Sequence, residues 1–309
     1  MTSEKITIGE GTAFPLKGML TLPDDLTEKV PAVVLVHGSG SSNMDEKVMA
    51  LTPFRDIAEG LAARGIAAVR YDKRSFAHPF KLLRNKELTV REETIEDAIL
   101  AAELLRKDSR IDPARIFIAG HSMGGMLAPR IDAEGGNFAG LILLAVSPRK
   151  MEEILAEQTS EMLAEMKGFT RRIMEKQVKK LLSGFDGLYE MRDEQAKKKK
   201  YGGGVTMYYF KEMGEHDVPG YLEKTAKPML ILQGGKDFQV KADRDFARYK
   251  ELLAGRDNVT LRLYENLNHA FVPSVYGQIS KAKQEYSVKQ HIDSDVIGDI
   301  ASWIHSIHS

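Results

Sequence analysis

The sequence predicts an α/β fold with a mostly parallel central sheet flanked by helices. Three observations lead to this expectation. From about Val30 to Val146, short apolar runs rich in Val, Ile and Ala alternate with longer amphipathic stretches. The same rhythm resumes from about residue 223 to the C-terminus. Between these parts, residues 149–222 show helical spacing of apolar side chains and no candidate buried strand.

The elements follow in order. Lys5–Ile8 and Leu16–Leu22 alternate apolar and polar residues and read as an antiparallel leading edge. Val33-Val34-Leu35-Val36, Ile66-Ala67-Ala68-Val69, Ile116-Phe117-Ile118-Ala119 and the run Leu141–Val146 are continuously apolar, as strands buried on both faces require. Helical patterns lie between them at roughly 53–64, 93–107 and 123–134. Thr52-Pro53 opens the first, with proline at the position where a helix tolerates it best. After the interruption, Pro228–Leu232 and Val259–Tyr264 read as strands, and 240–253 and 290–307 as helices.

The interruption is read as a helical lid inserted after the sixth strand. The division is therefore 1–148 with 223–309 as a catalytic core, and 149–222 as a lid. Met151, Ile154, Leu155, Met162, Leu163 and Met166 fall at helical spacing, as do Ile173, Met174, Val178, Leu181 and Leu182. Methionine is dense here, at positions 151, 162, 166, 174, 191, 207 and 213. Its adaptable side chain suits an apolar surface that covers a ligand, although the same pattern suits helices simply packed on a core. Lys197-Lys198-Lys199-Lys200 before Tyr201-Gly202-Gly203-Gly204 reads as an exposed helix end breaking into a loop, with a hinge as the alternative. Met207-Tyr208-Tyr209-Phe210 either lines an acyl pocket or anchors the segment, which makes Met207 and Tyr208 the substrate-contact candidates.

Composition narrows the chemistry. Lys plus Arg (44) equal Asp plus Glu (44), so net charge points to neither nucleic acid nor an anionic membrane as partner. The chain has no cysteine, which excludes disulfides, thiolate metal sites and a thiol nucleophile. The N-terminus is polar, and no stretch approaches the roughly 18 apolar residues of a membrane span. A soluble cytoplasmic protein acting on a small-molecule acyl substrate is the expectation.

The sharpest motif is Gly120-His121-Ser122-Met123-Gly124, which directly follows a buried strand and directly precedes a helical pattern. A serine on such a turn takes a strained backbone conformation that lifts its oxygen above the sheet edge, and small neighbours avoid clashes. The five residues alone would also fit a glycine-rich turn; their strand–turn–helix setting favours a nucleophile. A serine needs a base to take its proton. Of the eight histidines, His269 lies just beyond the strand at 259–264, where a loop at the carboxyl edge delivers it. His37 and His121 adjoin catalytic loops, His78 and His216 fall in loop and lid, and His291, His305 and His308 near the C-terminus read as surface residues.

The base needs an acceptor to fix its tautomer. Asp237 closes Gln233-Gly234-Gly235-Lys236-Asp237 after the strand at 228–232, although an aspartate there would also cap a helix. The competing position after Val146 reads Ser147-Pro148-Arg149-Lys150 and has no carboxylate before Glu152. The order Ser122, Asp237, His269 matches one of the three known triad orders. His37-Gly38-Ser39-Gly40 closes the strand at 33–36 with small residues, so the amides of Ser39 and Met123 are the candidate oxyanion donors.

These features resemble the α/β-hydrolase superfamily from about residue 15 to the end. Within it, His37-Gly38-Ser39-Gly40, Asn43, Asp45-Glu46, Pro53–Ala58, Gly65-Ile66-Ala67 and Arg70-Tyr71-Asp72-Lys73-Arg74 resemble one group of bacterial carboxylesterases. Some members of that group carry an extra N-terminal domain, for which this sequence leaves no room. The resemblance implies a serine esterase acting on short to medium acyl chains, with no metal or organic cofactor. The same machinery would serve a thioesterase, acyltransferase or peptidase, or a ligand receptor without sustained turnover. Arg70–Arg74 reads as a salt-bridged loop beside the site, with substrate contact as the alternative.

Overall fold

The computed structural model describes residues 1–82, 84–201 and 205–307. The proposed hinge glycines 202–204 and His308 lie outside the described residues. In chain order the first elements are β1 (Thr2–Ile8), β2 (Leu16–Leu22), β3 (Val30–Val36), α1 (Pro53–Ala62) and β4 (Ala67–Tyr71). Two short helices, α2 (Arg74–Ala77) and α3 (Pro79–Leu82), precede a π-helical turn at Arg91–Ile95 that runs into α4 (Glu96–Lys107). β5 (Ile111–His121), α5 (Met123–Ile131) and β6 (Leu141–Leu144) complete the first part of the core.

Among the described residues five α-helices separate β6 from β7, with a 3-10 turn at Ser183–Phe185: α6 (Met151–Glu165), α7 (Gly168–Leu182), α8 (Asp193–Ala196), α9 (Met207–Glu215) and α10 (Val218–Lys224). The core resumes with β7 (Met229–Gly234), α11 (Ala247–Leu252), β8 (Val259–Tyr264), α12 (Ala282–Ser287) and α13 (Ser294–Ser306).

The apolar runs become one eight-stranded sheet in the order β1-β2-β4-β3-β5-β6-β7-β8. β2 pairs antiparallel with β1 and β4, and every pairing from β4 and β3 to β8 is parallel. A parallel sheet needs both faces covered. On one face Phe54, Ile57 and Leu61 of α1 pack with Ile300, Trp303 and Ile304 of α13. On the other, Ala98, Ala102 and Leu105 of α4 join Leu127 and Ile131 of α5 and Tyr249 of α11. β6 stops two residues short of the apolar run, because Ala145 takes a positive φ of 52° and turns the chain out of the sheet. Parallel strands place their carboxyl ends together, so the loops after β3, β5, β7 and β8 gather at one edge.

Candidate active site

The turn from β5 into α5 holds Ser122 at φ 52° and ψ −121°, a conformation that costs an L-residue energy and persists only under constraint. The flanking glycines supply the constraint. A Cβ on Gly120 would stand 2.3 Å from the Gly124 carbonyl oxygen, and one on Gly124 only 2.2 Å from the Val36 carbonyl oxygen. The elbow is therefore pressed onto the end of β3. Met123 is the first residue of α5, so its amide has no acceptor within the helix.

The loop after β3 lies against this elbow. A Cβ on Gly38 would sit 3.2 Å from the Ser122 Cβ. The Gly38 amide donates to Glu46 Oε1 at 2.8 Å, and Lys73 Nζ donates to the Gly38 carbonyl at 2.8 Å. The same Glu46 places Oε2 3.0 Å from His121 Nδ1, while His121 Nε2 lies 2.9 Å from the His269 carbonyl oxygen. Burial works against a charge on His121, yet the Glu46 carboxylate outweighs it and raises the ring's pKa. Burial likewise opposes ionisation of Glu46, but the facing His121 and the Gly38 amide leave its pKa lowered.

His37, in contrast, is held neutral. Burial, with Lys73 adding to it, lowers its pKa from 6.5 to about 4 despite Glu46 nearby. Its Nε2 lies 3.0 Å from the Asn43 carbonyl oxygen, and its ring packs on Phe54 and Tyr71.

At the other end of the edge, the loop after β7 turns Asp237 back under His269. His269 Nδ1 lies 2.7 Å from Asp237 Oδ2. That oxygen also accepts from Gln233 Nε2 at 3.0 Å, and Oδ1 accepts the amides of Gln239 (2.7 Å) and Val240 (2.9 Å). Both residues are buried. The turn-capping role that an aspartate could play here and the contact with histidine thus coexist in one carboxylate. The His269 loop is fixed by Asn268, whose Nδ2 donates to the buried Glu285 at 3.0 Å and whose Oδ1 accepts the Ala270 amide at 3.0 Å. Asp245, beyond β7, is fully engaged by Ser147 and Arg149 and faces the loop after β6.

Ser122 and His269 line one cavity of about 220 Å³, together with Gly38, Ser42, Gln239 and Tyr286. Among the described residues Ser122 Oγ has no hydrogen-bond partner, His269 included; such contacts often tighten only around a substrate. Ser39 also lines a second cavity of about 440 Å³, walled by Met123, Leu88, Leu155, Tyr209 and Phe210. The substrate-contact candidates differ from this. Met207 is fully buried at the start of α9 against a separate hollow bounded by Lys180 and Leu181, and Tyr208 is half-buried against the core, its ring 4.9 Å from Lys197 Nζ and not on the cavity wall. One helical turn presents successive residues to different directions, and Tyr209 and Phe210 are those that face the cavity.

Arg70–Arg74 is salt-bridged as its sequence suggests, but it is not all loop: Arg70 and Tyr71 end β4 and Arg74 begins α2. Arg70 meets Asp45 at 3.0 Å, Arg74 meets Asp97 and Glu96, and Lys73 meets Glu93 at 3.4 Å. Glu46, Lys73 and Glu93 escape sequence reasoning as site residues. For Glu46 and Lys73 the one signal is their place in the esterase-like stretch; Glu93 lies beyond it and carries none. Among the described residues no group of three or more His, Cys, Asp or Glu has metal-holding geometry, and no helix is long and apolar enough to cross a membrane.

A parallel sheet with an elbow serine, a histidine and an aspartate at its carboxyl edge defines an α/β-hydrolase. Within that class the chain belongs to the family described as serine aminopeptidase, S33, whose model matches residues 27–273. It is 34% identical over 297 residues to esterase EstD of Thermotoga maritima, an alignment covering 95% of this chain and 66% of that protein. The chain thus spans just under two thirds of that relative's length. Among solved structures, an esterase of Pyrococcus furiosus aligns over 100% of this chain and 92% of its own, with a TM-score of 0.60 and 15% identity. A puromycin-hydrolyzing peptidase of Mycobacterium tuberculosis aligns over 99% of this chain and 39% of its own, with a TM-score of 0.61 and 17% identity. These two share the fold.

Proposed function

We propose that the protein hydrolyses carboxylic esters with short to medium acyl chains through an acyl-enzyme on Ser122. The observation that carries this reading is the 2.7 Å contact between His269 and Asp237 beside a strained serine on the same cavity wall. Ser122 Oγ attacks the ester carbonyl carbon and passes its proton to His269 Nε2. The imidazolium is stabilised by Asp237, and the new oxyanion by the amides of Ser39 and Met123. Collapse of the tetrahedral adduct breaks the carbonyl–oxygen bond to the alcohol, which leaves with the proton from His269. Water then attacks the acyl-serine, His269 accepts its proton, and the released acid leaves Ser122 reprotonated.

The two cavities divide the substrate. His269 must protonate the leaving oxygen, so the alcohol half occupies the smaller cavity that His269 lines. The acyl half extends past Ser39 and Met123 into the larger apolar one, which falls in the size range of small-molecule sites. Leu155 and Phe210 of that cavity belong to the helices between β6 and β7, which supports reading 149–222 as a lid over the acyl group.

The family's description favours one second reading, cleavage of a peptide from its N-terminus. An aminopeptidase needs a free carboxylate for the substrate's ammonium group. Among the described residues the carboxylates lining the two cavities are Glu46 and Glu93, and both are occupied by His121, Lys73 and Tyr209. This favours esters. A fluorophosphonate probe should label the wild type and not Ser122→Ala; equal labelling would overturn the assignment. Aryl esters and aminoacyl amides compared by kcat/KM should rank esters at least tenfold ahead.

A further inference from the structure

We propose that Lys73 is a positioning residue for the oxyanion site, and that Glu93 and Tyr209 couple it to the helical segment between β6 and β7. The proposal rests on reading the Ser39 amide as an oxyanion donor. The Gly38 carbonyl and the Ser39 N–H belong to one planar trans peptide, so they point in opposite directions. Whatever fixes the carbonyl fixes the aim of the amide. Lys73 Nζ donates to that carbonyl at 2.8 Å, and the Glu46 carboxylate takes the amide on the other side of Gly38 at 2.8 Å. Two charged groups from different parts of the chain therefore grip both peptides of a single glycine, itself packed against Ser122.

The burial of Lys73 argues for such a role. Its side chain is 2% exposed, and among the described residues its ammonium donates to one carbonyl, that of Gly38, and pairs with one carboxylate, Glu93 at 3.4 Å. Stripping water from an ammonium is costly, and an apolar residue of similar size would often serve stability as well or better. What the ammonium adds is direction and polarity. It holds the peptide in one orientation and draws electron density toward the carbonyl, which makes the opposite N–H a stronger donor. Preorganised donors of this kind are where acyl-transfer sites gain most of their rate.

The chain of contacts does not stop at Lys73. Glu93 Oε2 accepts the Tyr209 hydroxyl at 2.6 Å, and Tyr209 lies on α9. The same tyrosine lines the apolar cavity. The seating of α9 over an acyl group is thus transmitted through Tyr209, Glu93 and Lys73 to the amide that receives the oxyanion.

The test measures kcat and KM on 4-nitrophenyl hexanoate and the affinity of a trifluoromethyl ketone, which forms an oxyanion adduct with the serine. Lys73→Met should lower kcat by tenfold to a hundredfold with KM within threefold of wild type, and ketone affinity should fall in proportion. Lys73→Gln, which keeps a neutral donor, should recover part of the loss. Tyr209→Phe, which removes only the distal hydroxyl, should lower kcat about threefold with the same split and decides the matter if Lys73→Met fails to fold. Unchanged kcat, a change confined to KM, or a fall in kcat with ketone affinity intact would overturn the proposal. Ser122→Ala is run alongside: wild-type turnover by that variant would overturn the acyl-enzyme reading itself, a distinct result from an inactive Ser122→Ala with a fully active Lys73→Met.

Discussion

The loop that leaves β3 and the helices between β6 and β7 bound the same space, yet they are held in opposite ways. The loop is gripped by buried ionic groups: Lys73 and Glu46 on Gly38, His121 on Glu46, Arg70 on Asp45. Among the described residues, α6 buries only Ile154 and α7 only Val178, while Phe169 and Ile173 of α7 stand exposed. The first of these helices is fastened to the core largely by partly exposed contacts such as Lys241–Glu161 at 3.2 Å and Gln158 to the Gln239 carbonyl at 2.9 Å. Contacts of that kind contribute little each. The difference fits a division of labour in which a rigid centre fixes the reacting atoms and an adaptable cover meets a variable acyl group.

The rigid side should be the easier to break. Gly124→Ala forces a Cβ to within 2.2 Å of the Val36 carbonyl oxygen, and backbone on both sides must move. We expect a loss of about 3 kcal/mol in urea unfolding, at the upper end for overpacking. Burial of His37 predicts an effect of similar size that depends on pH. Its folded pKa is about 4 against an ordinary 6.5, so between those values the unfolded chain binds the proton and the folded one does not. Stability contributed by neutral His37 is full above pH 6.5 and lost as pH falls toward 4, about 3 kcal/mol for a shift of that size. Wild type should therefore lose that much more than His37→Gln between pH 7 and 4; parallel curves would contradict the assignment.

The adaptable side should respond in specificity more than in stability. Leu155→Trp fills part of the apolar cavity, and the preference for hexanoyl over acetyl esters should fall about tenfold, or roughly 1.4 kcal/mol. An unchanged ratio would remove Leu155 from the acyl path. The smallest effect is expected at Gly184, where among the described residues an added Cβ meets only Met207 Sδ at an ordinary 3.8 Å. Gly184→Ala should leave stability within about 0.5 kcal/mol of wild type. A large loss there would mean that the helical segment is as tightly packed as the elbow.

The same contrast explains what could be read from sequence. Strand β3 and the run Ile116–Ala119 of β5 are legible because each is buried on both faces and so continuously apolar, whereas the start of β5, with Asp112, Pro113 and Arg115, is not. Ser122 and Asp237 stand out because each follows such an apolar run, and His269 because it follows the half-buried β8, whose end topology brings to the same edge. The end of β6 was not legible, since nothing apolar about Ala145 announces its positive φ. Nor were the pairs Glu46–His121 and Lys73–Glu93, because a charged residue looks the same in sequence whether it faces water or a buried partner. On α9 the helical period relates Met207, Tyr208, Tyr209 and Phe210 to one another, but it does not say which of them faces the cavity.

Hydrolysis by the proposed route requires an acyl group carried by Ser122. Mass spectrometry of the intact protein, quenched during turnover of 4-nitrophenyl hexanoate, tests it directly. One added hexanoyl group is expected, mapped to the peptide containing Ser122, formed at the rate of the initial nitrophenolate burst and absent in Ser122→Ala. Steady turnover by Ser122→Ala, or an acyl group mapped to another residue at the burst rate, would contradict it.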